Sequence, residues 1–177
     1  MLSMDALQFG LSIWRIVGLT FISGTSCESL TPLQFYPTYI SSLNLYGIKL
    51  LDNNLFPLAH CPKLRTLGII KSSIADFVPL SYCFNLTTLD LSESLIEDLT
   101  PIGKLEKLES LFLNGTKIVD LSPLSSLNSL QIISLSHSNI SEISPLCSLT
   151  NLKVLHLSFT QVENVIFLFF SFFLSFF

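Results

Sequence analysis

The chain has 177 residues, 49% hydrophobic and 12% charged, with a formal net charge of −4; the charged share is half the usual ~25%. That length gives room for one ordinary domain, and the absence of a Lys/Arg cluster excludes a nucleic-acid face built on a basic stripe. The acidic balance leaves a mild preference for neutral or basic partners. Cysteines at 27, 61, 83 and 147 show no metal-type spacing.

At the N-terminus, residues 7–22 (LQFGLSIWRIVGLTFI) are apolar enough to suggest a signal peptide. Asp5 precedes them, Arg15 lies within them, and neither a basic leading region nor a small-residue cleavage site accompanies them. They read better as the start of a periodic pattern. Ile16, Leu19 and Phe21 spell LxxLxL, and Gly24-Thr25, Cys27, Leu30, Pro32 and Leu33 follow in order. Residues 1–15 are then a partial N-terminal cap. A second coil follows, with Leu43 and Leu45 in its strand and Leu55-Phe56-Pro57-Leu58 in its other half. Ten residues rather than eight separate Leu45 from Leu55, so two are inserted.

From there the pattern is regular. Pro57, Pro79, Pro101, Pro123 and Pro145 recur every 22 residues, as do Leu64, Leu86, Leu108, Leu130 and Leu152. Leu67, Leu89, Leu111, Ile133 and Leu155 keep the same interval, two residues before Ile69, Leu91, Leu113, Leu135 and Leu157. A fixed period of this length means stacked units rather than one globular core. The two-residue alternation predicts a short strand with its leucines turned inward. Where the chain leaves that strand, one column reads Ser72, Ser94, Thr116, Ser138 and Thr160. A turn beside a core leaves backbone groups in need of partners, and stacked hydroxyls could supply them as a structural ladder.

The second half of each coil opens on Thr100-Pro101, Ser122-Pro123 or Ser144-Pro145. A hydroxyl N-cap before proline starts a short helix or 3-10 turn. An acid stands two residues ahead: Asp76, Asp98, Asp120 and Glu142. The expected fold is thus an α/β repeat. It is a right-handed solenoid with a parallel concave sheet and short helical or 3-10 turns on the convex side. The repeats span residues 16–166, about six full coils plus one partial.

Residues 167–177 are a phenylalanine-rich hydrophobic tail that breaks the last coil in mid-turn. From Val165 to Phe177 there are only 13 residues, whereas a spanning helix needs about 20. A lipid-anchor signal would need a polar spacer of roughly 8 to 12 residues first, and the repeat runs straight into the tail. Phe, Leu and Ser share pyrimidine-only codons, so the tail reads as a frame entering a pyrimidine tract, making this a truncated fragment of a longer repeat protein. A membrane-contacting segment and an apolar end cap are the alternatives.

The pattern LxxLxLxx(S/T)xIxxLxPLxxLxx, with its DLSPLSSL and EISPLCSL runs, resembles the 22-residue leucine-rich repeat. It is similar to the short repeats of protein-phosphatase regulators, to bacterial internalins and to large protist families. Those relatives mostly carry asparagine in the ladder column, where this chain has serine or threonine. The resemblance implies the solenoid and says little about function.

Function is expected where strand side chains point out of the concave sheet. The columns there bring up Asp90, Glu93, Phe112, Asn114, Ser134, His137, His156 and Phe159 as candidate binding residues. Phe112 beside His137, and His156 beside Phe159, would make an aromatic and imidazole patch, although any five-coil surface carries a few aromatics. No catalytic motif appears among His60, His137 and His156, and two histidines without a third ligand give no metal site. No cofactor is expected. Cys61 and Cys83 share a column one strand apart, which permits a disulfide. Since Leu105, Leu127 and Leu149 fill that column elsewhere, buried free thiols are the stronger expectation. Sequons at Asn85, Asn114 and Asn139 match chance frequency in a serine-rich chain. The expectation is a non-catalytic protein-binding scaffold, with a cytoplasmic location favoured. A membrane-associated or surface-exposed recognition protein, held through the tail, is the alternative.

Overall fold

Short strands with one apolar face cannot stand alone, and here each is completed by the coil that follows. The computed structural model describes residues 19–23, 26–27, 29–31, 33 and 40–163. The expected cap (1–15), Ile16, Gly24-Thr25, Pro32 and the tail (167–177) lie outside them.

Strands β1 (Leu19–Ser23), β3 (Ser42–Tyr46), β5 (Thr66–Gly68), β6 (Thr88–Asp90), β7 (Ser110–Phe112), β8 (Ile132–Ser134) and β9 (Val154–His156) form one parallel seven-stranded sheet in chain order. β2 (Ser26–Cys27) and β4 (Lys49–Leu50) pair as a second, two-stranded sheet. From β5 onward the register steps by 22, Thr66 facing Thr88, then Ser110, Ile132 and Val154. The pairing continues past the strands, with the Lys71, Glu93, Gly115 and His137 N–H groups donating to the carbonyls of Ser92, Asn114, Ser136 and Ser158 at 2.7–2.9 Å.

The inserted residues are placed by burial. Leu50 and Leu55 are buried five apart, where Ile74 and Phe77 are buried three apart. The extra length is the exposed loop Leu51-Asp52-Asn53-Asn54, which turns through a left-handed Asn53 at φ 49°. One expectation fails in the first coil. Thr20 and Ile22, rather than Leu19 and Phe21, pair with Leu43 and Leu45. The segment Leu-Thr-Phe-Ile-Ser carries apolar residues in both phases, so alternation alone does not set its register. A one-residue slip exchanges the faces.

In the coil from Leu108, the residues Leu108, Leu111, Leu113, Ile118, Leu121, Leu124 and Leu127 are all at most 1% exposed. Full burial of each contributes about 1.5–3 kcal/mol. Cys61 and Cys83 are free and buried, and burial pushes their thiols up to about 11 and about 12. They act as small apolar fillers.

The convex half of each coil is a 3-10 turn rather than an α-helix: Phe56–His60, Val78–Tyr82, Ile102–Lys104, Ser122–Leu124 and Ser144–Ser148. A column of small residues, Ala59, Ser81, Gly103, Ser125 and Cys147, lets the turns stack. At Gly103 a Cβ would stand 2.5 Å from the Pro123 carbonyl oxygen. The expected hydroxyl caps are not formed: Leu55, Phe77, Pro101, Leu121 and Ile143 stand at the cap positions, Ser122 and Ser144 already lie inside their turns, and Thr100 precedes its own. The acid two residues ahead does that work. Asp76, Asp98, Asp120 and Glu142 accept the backbone N–H of Val78, Thr100, Ser122 and Ser144 at 2.8–2.9 Å. Asn54 does the same for Phe56 at 2.8 Å. A carboxylate reaching two residues on closes a local turn that a hydroxyl closes more weakly.

Hydrogen bonds from Thr100, Ser122 and Ser144 hold the carboxyls of Asp98, Asp120 and Glu142 below their ordinary values of 3.8, 3.8 and 4.5. A carboxyl depressed in the folded state contributes stability that is complete above its unfolded pKa and is lost as pH falls through the folded one. Urea midpoints of the chain should therefore fall as pH drops below about 4.5. The combined variant Asp98→Asn, Asp120→Asn and Glu142→Gln keeps an acceptor oxygen and should show a smaller fall.

The hydroxyl column is buried at Ser72, Ser94, Thr116 and Ser138, each 3–4% exposed, and half-buried at Thr160. Its bonds run within a coil rather than between coils. Thr116, Ser138 and Thr160 donate to the carbonyls of Leu113, Leu135 and Leu157 at 2.7, 2.5 and 2.8 Å. The hydroxyls of Ser72 and Ser94 have no protein partner. Thr116→Val, which keeps the shape, should cost about 1–3 kcal/mol in chemical denaturation, and Ser94→Ala clearly less. Equal costs would contradict this assignment.

Candidate functional site

The outward side chains of β6–β9 stand over the sheet in columns one strand spacing (~4.8 Å) apart. Three of the expected residues, Asp90, Asn114 and Ser134, join Ser92 and Ser136 in one connected polar strip. Asp90 accepts the Ser92 N–H at 2.9 Å. Asn114 donates to the Ser92 hydroxyl at 3.3 Å, and its carbonyl oxygen accepts the Ser134 hydroxyl at 2.6 Å and the Ser136 N–H at 3.0 Å. Asn114 thus joins three coils. Ser134 is buried, while Asp90, Phe112 and Asn114 are half-buried.

Beside this strip runs a row of unusual backbone. Gly47, Lys71, Glu93, Gly115, His137 and Phe159 all have φ between 53° and 66°. Only two are glycine, so the other four carry the steric cost of the left-handed region, roughly 1–2 kcal/mol each. This conformation brings side chains of neighbouring coils together. Lys71 meets Glu93 at 3.7 Å with both ends exposed, a pair that contributes little to stability. His137 and Phe159 stack nearly flat, with centroids 4.5 Å apart and planes at 15°.

That stack replaces the arrangement expected from the columns. Among the described residues Phe112 and His156 make no ring contact, and His156 is exposed. Phe159 is 78% exposed. Among the described residues no group of three or more His, Cys, Asp or Glu is placed to hold a metal ion. None of their helices is long and apolar enough to cross a membrane.

The leucine-rich-repeat family model, in two-repeat units, matches residues 84–126 and 128–168. Among solved structures, an internalin (inlF) of Listeria monocytogenes is 27% identical with a TM-score of 0.74, over 85% of this chain and 44% of that one. An internalin C2 of the same organism is 31% identical with a TM-score of 0.62, over 74% of this chain and 66% of that one.

The chain is a leucine-rich-repeat protein.

A more distant leucine-rich-repeat neighbour, the ectodomain of the Arabidopsis thaliana receptor kinase GASSHO1/SCHENGEN3 in complex with CASPARIAN STRIP INTEGRITY FACTOR 2, is 20% identical. Its TM-score is 0.66, over 81% of this chain and 18% of that one, and it shows the fold alone. No curated protein sequence matches. This leucine-rich-repeat chain spans less than half of the first internalin's length. Its fold is typical of protein–protein interaction, and such proteins are generally scaffolds rather than enzymes.

One feature of this repeat protein escaped the sequence reading. On the convex flank Phe56, Tyr82 and Phe84 form an exposed aromatic row. The signal was present in the columns: Phe84 stands where later repeats have Glu106, Asn128 and Thr150, and Tyr82 where they have Lys104, Ser126 and Ser148.

Asn114→Ala should remove the hydrogen bonds that tie three coils of the strip, lowering stability by about 1–3 kcal/mol. A loss under a few tenths in urea denaturation would show the strip to be solvent-compensated.

Proposed function

We propose that this leucine-rich-repeat protein is a non-catalytic scaffold that binds another protein on its concave face, centred on the C-terminal coils of a repeat array spanning 16–166. The observation that carries this is Phe159. Its ring gains little from folding at 78% exposure, and its backbone sits in a conformation that costs energy. Backbone held this way at a surface is common at binding and switch sites. Exposed aromatic rings are frequent anchors of interfaces. The flat stack on His137 holds the ring in one orientation, which lowers the entropy lost when a partner arrives. Phe112, Asn114, Ser134 and His156 supply a mixed polar and aromatic floor beside it, and Asp90 and Glu93 an acidic margin.

The test is a quantitative pull-down comparing the full chain with a variant carrying Phe159→Ala and Phe112→Ala together. Recovery of specific partners should drop about tenfold or more, as expected for loss of anchor rings. Unchanged recovery would move the binding surface elsewhere.

A further inference from the structure

The aromatic row on the convex flank is not used by the concave-face reading. Phe56 lies edge-on to both His60 (5.7 Å) and Tyr82 (5.8 Å), and Tyr82 lies edge-on to Phe84 (6.5 Å). The three apolar-bodied rings are 48%, 50% and 56% exposed. With Pro62 and Asn85 they line a cleft of about 410 Å3 whose floor is made by buried Cys61 and Cys83. That is within the size range of small-ligand clefts, about 300–1,000 Å3. Edge-to-face packing leaves ring faces open to the cleft, where an entering ring finds its preferred offset or perpendicular geometry.

The rim has a charge opposite to that of the chain. Lys63 follows cleft residue Pro62. Lys104 continues the His60–Tyr82 column into the next coil. Lys107 donates from Nζ to Asn85 Oδ1 at 2.6 Å, directly at the cleft wall. All three lysines are exposed, and the one acid among them is Glu106. Three lysines and one glutamate give the rim a local +2, against −4 for the whole chain. Lys107 is held by a neutral amide rather than a carboxylate, so its charge is available to an incoming anion.

We infer that this cleft is a second docking site, which takes an acidic segment of a partner protein anchored by one aromatic side chain. The anchor ring enters among Phe56, Tyr82 and Phe84, and flanking carboxylates meet Lys63, Lys104 and Lys107. The site is separate from the concave face and does not depend on it.

A phage-displayed random peptide library panned on the full chain tests this directly. Enriched peptides should combine an aromatic residue with neighbouring Asp or Glu. Synthetic versions, followed by fluorescence anisotropy, should bind Tyr82→Ala about tenfold or more weakly, as for a hot-spot ring. They should also weaken on Lys104→Glu with Lys107→Glu, with a reduced salt dependence. Binding to Phe112→Ala with Phe159→Ala should be unchanged, which separates this site from the concave one. Lys104 and Lys107 are exposed, so their variants keep the fold even if Tyr82→Ala does not. No enrichment, or enrichment of neutral or basic peptides, would overturn the proposal. So would peptides insensitive to the lysine pair. Flotation with phosphatidylserine vesicles that depends on Tyr82 and the lysines, without peptide binding, would assign the cleft to an anionic membrane surface instead.

Discussion

Backbone pairing between successive coils is the constraint on which the rest of the molecule depends. Each strand from β5 to β9 contributes only three residues, too few to stand alone. It is held because its N–H and C=O groups meet those of a strand one repeat away. A parallel pairing needs a crossover between strands, and here the crossover is the 3-10 half of the coil. Once the register is fixed, every other position falls into a column with a fixed environment. Leucine repeats because the interior of each coil is the same place, met again.

This explains both what could be read from the sequence and what could not. The inward leucines, the prolines, the sheet order and the two-residue insertion before Leu55 were legible because each rests on a repeated environment. Failures came where a column admits two solutions. Hydroxyls at Thr116 and Ser138 suggested a coil-to-coil ladder, yet a hydroxyl beside its own strand-end carbonyl finds that acceptor sooner. Ser122 and Ser144 looked like caps, yet Asp120 and Glu142 reach the same turns with a stronger acceptor. Leu19 and Phe21 lost their expected register because the segment Leu-Thr-Phe-Ile-Ser has apolar residues in both phases of the alternation.

The candidate site was only partly legible, for a different reason. Column position told which residues face outward, and Phe112, His137, His156 and Phe159 are indeed half-buried or exposed. It did not tell which would touch. The left-handed backbone at His137 and Phe159 turns both side chains along the edge of the sheet, where they meet each other instead of the ring or imidazole predicted beside them. Periodicity carries no trace of that rotation, because glycine and non-glycine residues share the column.

The side-chain contacts between coils have a consequence for how anything can lie across this surface. Neighbouring coils offer equivalent side chains every ~4.8 Å, while an extended peptide presents same-side residues about 6.6 Å apart. The two rulers are incommensurate. A strand laid across the coils drifts by nearly 2 Å at each step and is out of step by a whole coil after about three. Long matched tracks are therefore unavailable to a partner, and recognition has to be gathered into patches two or three coils wide. Lys71 with Glu93, His137 with Phe159 and Phe56 with Tyr82 are side-chain pairs of that width, each formed across a single coil boundary. A solenoid of this kind offers a row of short, separate surfaces rather than one continuous groove.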